Sequence, residues 1–91
     1  MEIRQELNNK LNVVITRRYC IAFSYTTIIG ILDKRTNTAR ITEEKHSNTT
    51  CRHRKFFERE YCGAEREGNT TKFYYISQEE LEDIAEDIIN N

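Results

Sequence analysis

The residues best suited to chemistry are two histidines and three cysteines, and four of them crowd together: His46, Cys51, His53 and Cys62. A structural zinc site needs four ligands converging tetrahedrally, usually from paired spacings such as CxxC or HxxxH. Neither pattern occurs here. If this stretch is helical, Cys51 and His53 point about 200° apart. They can then neither chelate one ion as helical neighbours nor form a thiolate–imidazole pair. There is no Gly-rich phosphate loop, no Ser–His–Asp arrangement and no carboxylate dyad. A non-enzymatic protein with no cofactor and no metal is therefore expected. His53 reads as a histidine hydrogen-bonded inside the fold, with a ligand or switch role as the alternative. The cysteines read as small buried or half-buried hydrophobes, and their odd number argues against a disulfide framework.

Charge offers more than nucleophiles do. The net charge of −1 hides a gradient. Residues 34–59 hold eight Lys or Arg against three Glu, and residues 77–91 hold six acids and no base. Arg52, Arg54, Lys55 and Arg59 form a candidate binding face, either contacting phosphates or simply solvated. Glu79, Glu82, Asp83 and Glu86 form a second candidate, either docking on a basic partner or lying on an ordinary amphipathic helix. Acids early in that helix suit the positive end of its dipole, but Glu86 and Asp87 near the other end do not. No helix–turn–helix spacing, RNP-type aromatic motif or zinc-finger pattern accompanies the basic run.

These side chains must be positioned by short elements. Ile3 and Leu7, spaced i, i+4, predict one or two helical turns over residues 2–10. Leu11–Ile15 and Tyr19–Tyr25 are β-prone. Thr27–Leu32 and Ala39–Thr42 predict a hairpin, with Asn37 able to take a left-handed turn conformation. Gly30 inside the first of these strands marks a bulge or the close approach of another segment. Residues 49–61 predict a helix, with Ser47, Asn48 or Thr49 supplying the N-cap. Thr50, His53, Phe57 and Tyr61 share one face of it, and Gly63 follows as a C-terminal stop. Thr71–Ile76 predicts a strand. Ser77 and Glu80 form a capping box opening a helix over 78–89, with Leu81, Ile84, Ala85 and Ile88 as its apolar stripe.

The expected architecture is α+β: a small antiparallel sheet of three to five strands with two or three helices packed on one face. Ninety-one residues predict one domain, 1–91, with room for one core. A deep enclosed pocket typically needs about 300 Å3 or more, which leaves little room for one beside that core. Neither a signal peptide nor a membrane span is evident, so a cytoplasmic protein without membrane contact is expected.

Ser24-Tyr25-Thr26-Thr27-Ile28-Ile29-Gly30, followed by Lys45-His46-Ser47-Asn48-Thr49-Thr50-Cys51-Arg52-His53, resembles a group of small, uncharacterised proteins of phages and related viruses. Their pattern is a Ser-Tyr-x-Thr strand entry, an apolar strand, a turn, and Lys-Tyr-Ser-x-Thr-Thr-x-x-His at a helix start. Ser47, Thr49, Thr50 and His53 match it. His46 stands where Tyr is usual, and Gly30 where Ala is common. The likeness spans about residues 24–57 and implies a virus-encoded accessory protein without an established activity. Physically, Ser47 and Thr49 can cap the helix while Thr50 and His53 tie it to the sheet. The expected function is binding that inhibits or redirects a host protein or complex, through the charged surfaces and exposed aromatics such as Tyr74 or Tyr75. Nucleic-acid binding by the basic helix is the alternative, and a self-assembling module, for instance a homodimer, the weaker one.

Overall fold

The computed structural model describes residues 1–90. Six strands form one sheet: β1 (Glu2–Glu6), β2 (Leu11–Ile15), β3 (Tyr19–Ser24), β4 (Thr27–Asp33), β5 (Thr38–Thr42) and β6 (Lys72–Ile76). Their order across the sheet is their order along the chain. β1 to β5 run antiparallel, and β6 lies parallel to β5. Helix α1 (Asn48–Glu60) connects β5 to β6, and α2 (Gln78–Asn90) follows β6.

This corrects the sequence expectation of an antiparallel sheet of three to five strands with helices on one face. The sheet is larger and mixed, and its helices cover opposite faces. A parallel pair needs a long crossover, and α1 supplies it between β5 and β6. Phe57 of α1 packs into one buried cluster with Leu11, Val13, Ala22, Ile29 and Ile41. Leu81 and Ala85 of α2 pack into another, with Ile21, Ile28 and Ile31. Strand residues alternate between the two clusters, because successive side chains leave a strand on opposite sides.

The expected helix over residues 2–10 is instead strand β1 and a turn. The i, i+4 spacing of Ile3 and Leu7 imitates a helix. However, Leu7, Asn8 and Asn9 take φ values of 49°, 63° and 65°, left-handed geometry that Asn tolerates better than most residues. That turn folds β1 back onto β2, so the first strand owes its form to pairing rather than to local preference.

Gly30 fulfils both readings offered for it. Ala22 opposes Gly30 while Phe23 opposes Ile28, so Ile29 is the extra residue of a β-bulge. A Cβ at Gly30 would lie 2.7 Å from Cε2 of Phe57. The bare backbone there lets α1 sit directly on the sheet. Asn37 takes φ 54° in the β4–β5 turn, as expected. Among the described residues, no helix is long and apolar enough to cross a membrane.

Candidate functional site

The two halves of the Ser-Tyr … Thr-Thr-x-x-His motif meet beneath α1. Ser47 caps the helix by accepting the Thr50 N–H at 3.2 Å, and its hydroxyl donates to Thr50 Oγ1. Thr50 Oγ1 lies 3.1 Å from Ser24 Oγ, which lies 2.7 Å from His53 Nδ1. In one arrangement donation runs from Ser47 to Thr50, Thr50 to Ser24 and Ser24 to His53, with a neutral imidazole carrying its proton on Nε2; in the other tautomer Nδ1 donates to Ser24 and Ser24 to Thr50. Burial, then the charges of Arg52 and Lys10, hold the His53 pKa below its ordinary value, so the neutral form prevails at pH 7. Helix and sheet are thus tied by buried hydrogen bonds, the role the sequence allowed for Thr50 and His53. Thr49 takes no part in the chain.

A serine beside a histidine invites comparison with a catalytic pair. Here Ser24 is only 1% exposed, its hydroxyl is engaged by both Thr50 and His53, and among the described residues no carboxylate is hydrogen-bonded to the imidazole. The arrangement is that of a structural clasp. The cysteines are free. Burial is the main cause that pushes the Cys62 thiol up to about 12 and also raises Cys20, which leaves both poor nucleophiles at neutral pH. No cluster of His, Cys, Asp or Glu among the described residues has the makings of a metal site.

The four basic residues of α1 divide. Arg52, Lys55 and Arg59 are exposed, whereas Arg54 is half-buried. Arg54 Nε faces Glu58 Oε1 at 4.0 Å, too far for a hydrogen bond, and this buried atom has no hydrogen-bond partner among the described residues. Glu58 also accepts the Tyr75 hydroxyl at 2.6 Å. Burial and that carboxylate push the Tyr75 phenol up to about 12. Arg59 pairs with Glu60 at 3.2 Å. Acids are therefore interleaved with the bases on α1, and its net charge is only +2.

Helix α2 is different. Its apolar stripe seats Leu81 at 0% and Ala85 at 6% exposure, which turns Glu79, Glu80, Glu82, Asp83, Glu86 and Asp87 outward, all exposed. Glu80 and Glu82 accept hydrogen bonds from Ser77 and Gln78. Glu79, Glu82, Asp83 and Glu86 have no salt-bridge partner among the described residues. The chain nets −1 and α2 carries −6, so everything outside this helix nets +5.

Sequence reasoning missed Gln78. Its side chain donates to the Ile28 carbonyl at 2.8 Å and accepts from Thr42 Oγ1 at 2.7 Å and His46 Nε2 at 3.3 Å. It anchors the start of α2 to β4, to β5 and to the segment entering α1. A lone Gln after an N-cap carries no sequence signal for such a role.

In class, then, this is a mixed six-stranded sheet clasped between two helices of unlike charge. The chain belongs to a family of unknown function, DUF8033, whose pattern matches residues 1–81. The match takes in every strand and α1, and it ends in the first turn of α2, before Glu82, Asp83 and Glu86. No match was found among curated proteins or solved structures.

Proposed function

We propose that this is a non-enzymatic accessory protein that uses α2 to dock on a basic surface of a macromolecular partner. One observation carries this reading: α2 presents six carboxylates and no cation, on the sheet face opposite α1. Helix stability does not call for that arrangement. Glu79–Asp83, Glu82–Glu86 and Asp83–Asp87 are like charges at i, i+4, each costing about 0.2–0.5 kcal/mol at low salt. Glu86 and Asp87 also sit toward the negative end of the helix dipole, and no base occupies the last turn. A cationic partner relieves both penalties and is steered by the same field. The motif's likeness to small phage and virus proteins supports a host machine as that partner.

The test is capture from nuclease-treated host lysate by the protein and by a Glu79→Gln/Glu82→Gln/Asp83→Asn/Glu86→Gln variant. One defined partner, retained after nuclease and lost with the variant or with rising salt, is the expected result. Binding that needs nucleic acid and disappears in Arg52→Ala/Lys55→Ala/Arg59→Ala would overturn it in favour of the basic helix.

A further inference from the structure

A groove runs between the second half of α2 and the β3–β4 turn. It is lined by Phe23, Ile28, Ala85 and Ile89, with Thr26 and Thr27 at the turn and Glu82 and Glu86 on the helix. Its volume is about 350 Å3, at the small end of the roughly 300–1,000 Å3 typical of ligand sites, and it is open to solvent. Ala85 is the small residue in the apolar stripe of α2, and it leaves this space against β4. Ile89 is 69% exposed beside it and places a large apolar side chain on the groove's rim. The hydroxyls of Thr26 and Thr27 have no hydrogen-bond partner among the described residues. Glu82 and Glu86, one turn apart, place two carboxylates on the same wall.

Resting on the reading that α2 docks a basic surface, we propose that this groove receives one large apolar side chain of the partner, borne on a Lys/Arg-rich segment. Charge complementarity selects the occupant. An apolar group flanked by cations fills the hollow while its neighbours reach Glu82 and Glu86. A neutral or acidic segment would leave both carboxylates facing apolar or like-charged atoms. The buried anchor supplies affinity, and the rim charges supply rate and orientation. Glu82, Ala85, Glu86 and Ile89 lie beyond residue 81, where the family match ends, so the helix wall of the groove falls outside that match while its strand wall falls within it.

Two synthetic peptides test this, identical in Lys/Arg content, one with a central Phe and one with Ser in its place. Each is titrated by fluorescence anisotropy against the full chain, against Ile89→Ser and against Glu82→Gln/Glu86→Gln, with folding checked by thermal melts. The Phe peptide should bind roughly tenfold tighter or better, the effect of burying one such side chain. Ile89→Ser should narrow that gap while leaving the Ser peptide unchanged, and Glu82→Gln/Glu86→Gln should weaken both peptides. Equal binding of the two peptides would overturn the groove proposal and leave acidic docking standing. Binding of neither would overturn both. A concentration-dependent dimer of the free protein that Ile89→Ser abolishes would assign the groove to a second copy of this chain instead.

Discussion

On the α1 side of the sheet, the helix is held by contacts that admit little variation. The Phe57 ring rests on the bare backbone of Gly30, and Ser47, Thr50, Ser24 and His53 form one continuous hydrogen-bonded chain. On the α2 side, an apolar stripe and the Gln78 amide do the seating, and the charges are left outside. The first face uses its polar groups inward, for register and angle; the second turns them outward. The hydrogen-bonded chain under α1 fixes how that helix meets the sheet, while among the polar side chains of α2 only Gln78 reaches inward and the carboxylates lie on the exposed side.

The largest effects should fall on the tight face. Phe57→Ala should cost about 3–5 kcal/mol in urea or thermal unfolding. Gly30→Ala should cost about 1–3 kcal/mol, because the fully buried ring cannot withdraw from the new methyl. Combined with Phe57→Leu, the Gly30→Ala penalty should shrink, and a double-mutant cycle with no coupling would break the contact claimed here.

Next comes the hydrogen-bonded chain. Ser24→Ala leaves buried His53 Nδ1 without its hydrogen-bond partner and should cost about 1–3 kcal/mol. The same histidine gives stability a pH slope. Its folded pKa lies below the ordinary 6.5, so the unfolded chain takes up the proton first. Its contribution is complete above about 6.5 and is lost as pH falls from there toward the folded pKa. Stability curves of wild type and His53→Gln should converge on the acid side; parallel curves would remove His53 from this role.

The smallest effect sharpens the contrast by its sign. Glu82→Gln/Glu86→Gln should raise low-salt stability by about 0.2–0.5 kcal/mol, and the gain should fade as salt is added. A loss would mean that these acids serve the fold after all.

Much of this division was readable from residue types and spacing. The period-3.6 faces of both helices, the Ser77 cap, an α1 cap narrowed to Ser47, Asn48 or Thr49, the β4–β5 hairpin with Asn37, and the exception at Gly30 are local signals; the structure uses each, and Ser47 takes the α1 cap. Three features were not readable, for related reasons. β1 has a helix-like spacing and becomes a strand only by pairing with β2. β6 reads as a strand, but nothing in Lys72–Ile76 states that its neighbour is β5 or that they run parallel. Alternation along a strand shows that two faces exist, not which helix takes which, so the helices were expected together and lie apart. At the candidate site, the charge segregation was legible because it is a property of composition. The Gln78 anchor and the groove beside Ala85 were not, since both depend on segments brought together from 50 residues or more apart.

The strand order has a kinetic consequence. Each of β2 to β5 pairs with the strand made just before it, so these closures are short and inexpensive in chain entropy. The link from Thr42 to Lys72 is the one long closure in the sheet. A chain emerging from the ribosome can therefore zip five strands in order of synthesis, the local assembly that favours rapid folding. The acidic helix follows all six strands along the chain, so it can settle onto a sheet whose first five strands are already paired.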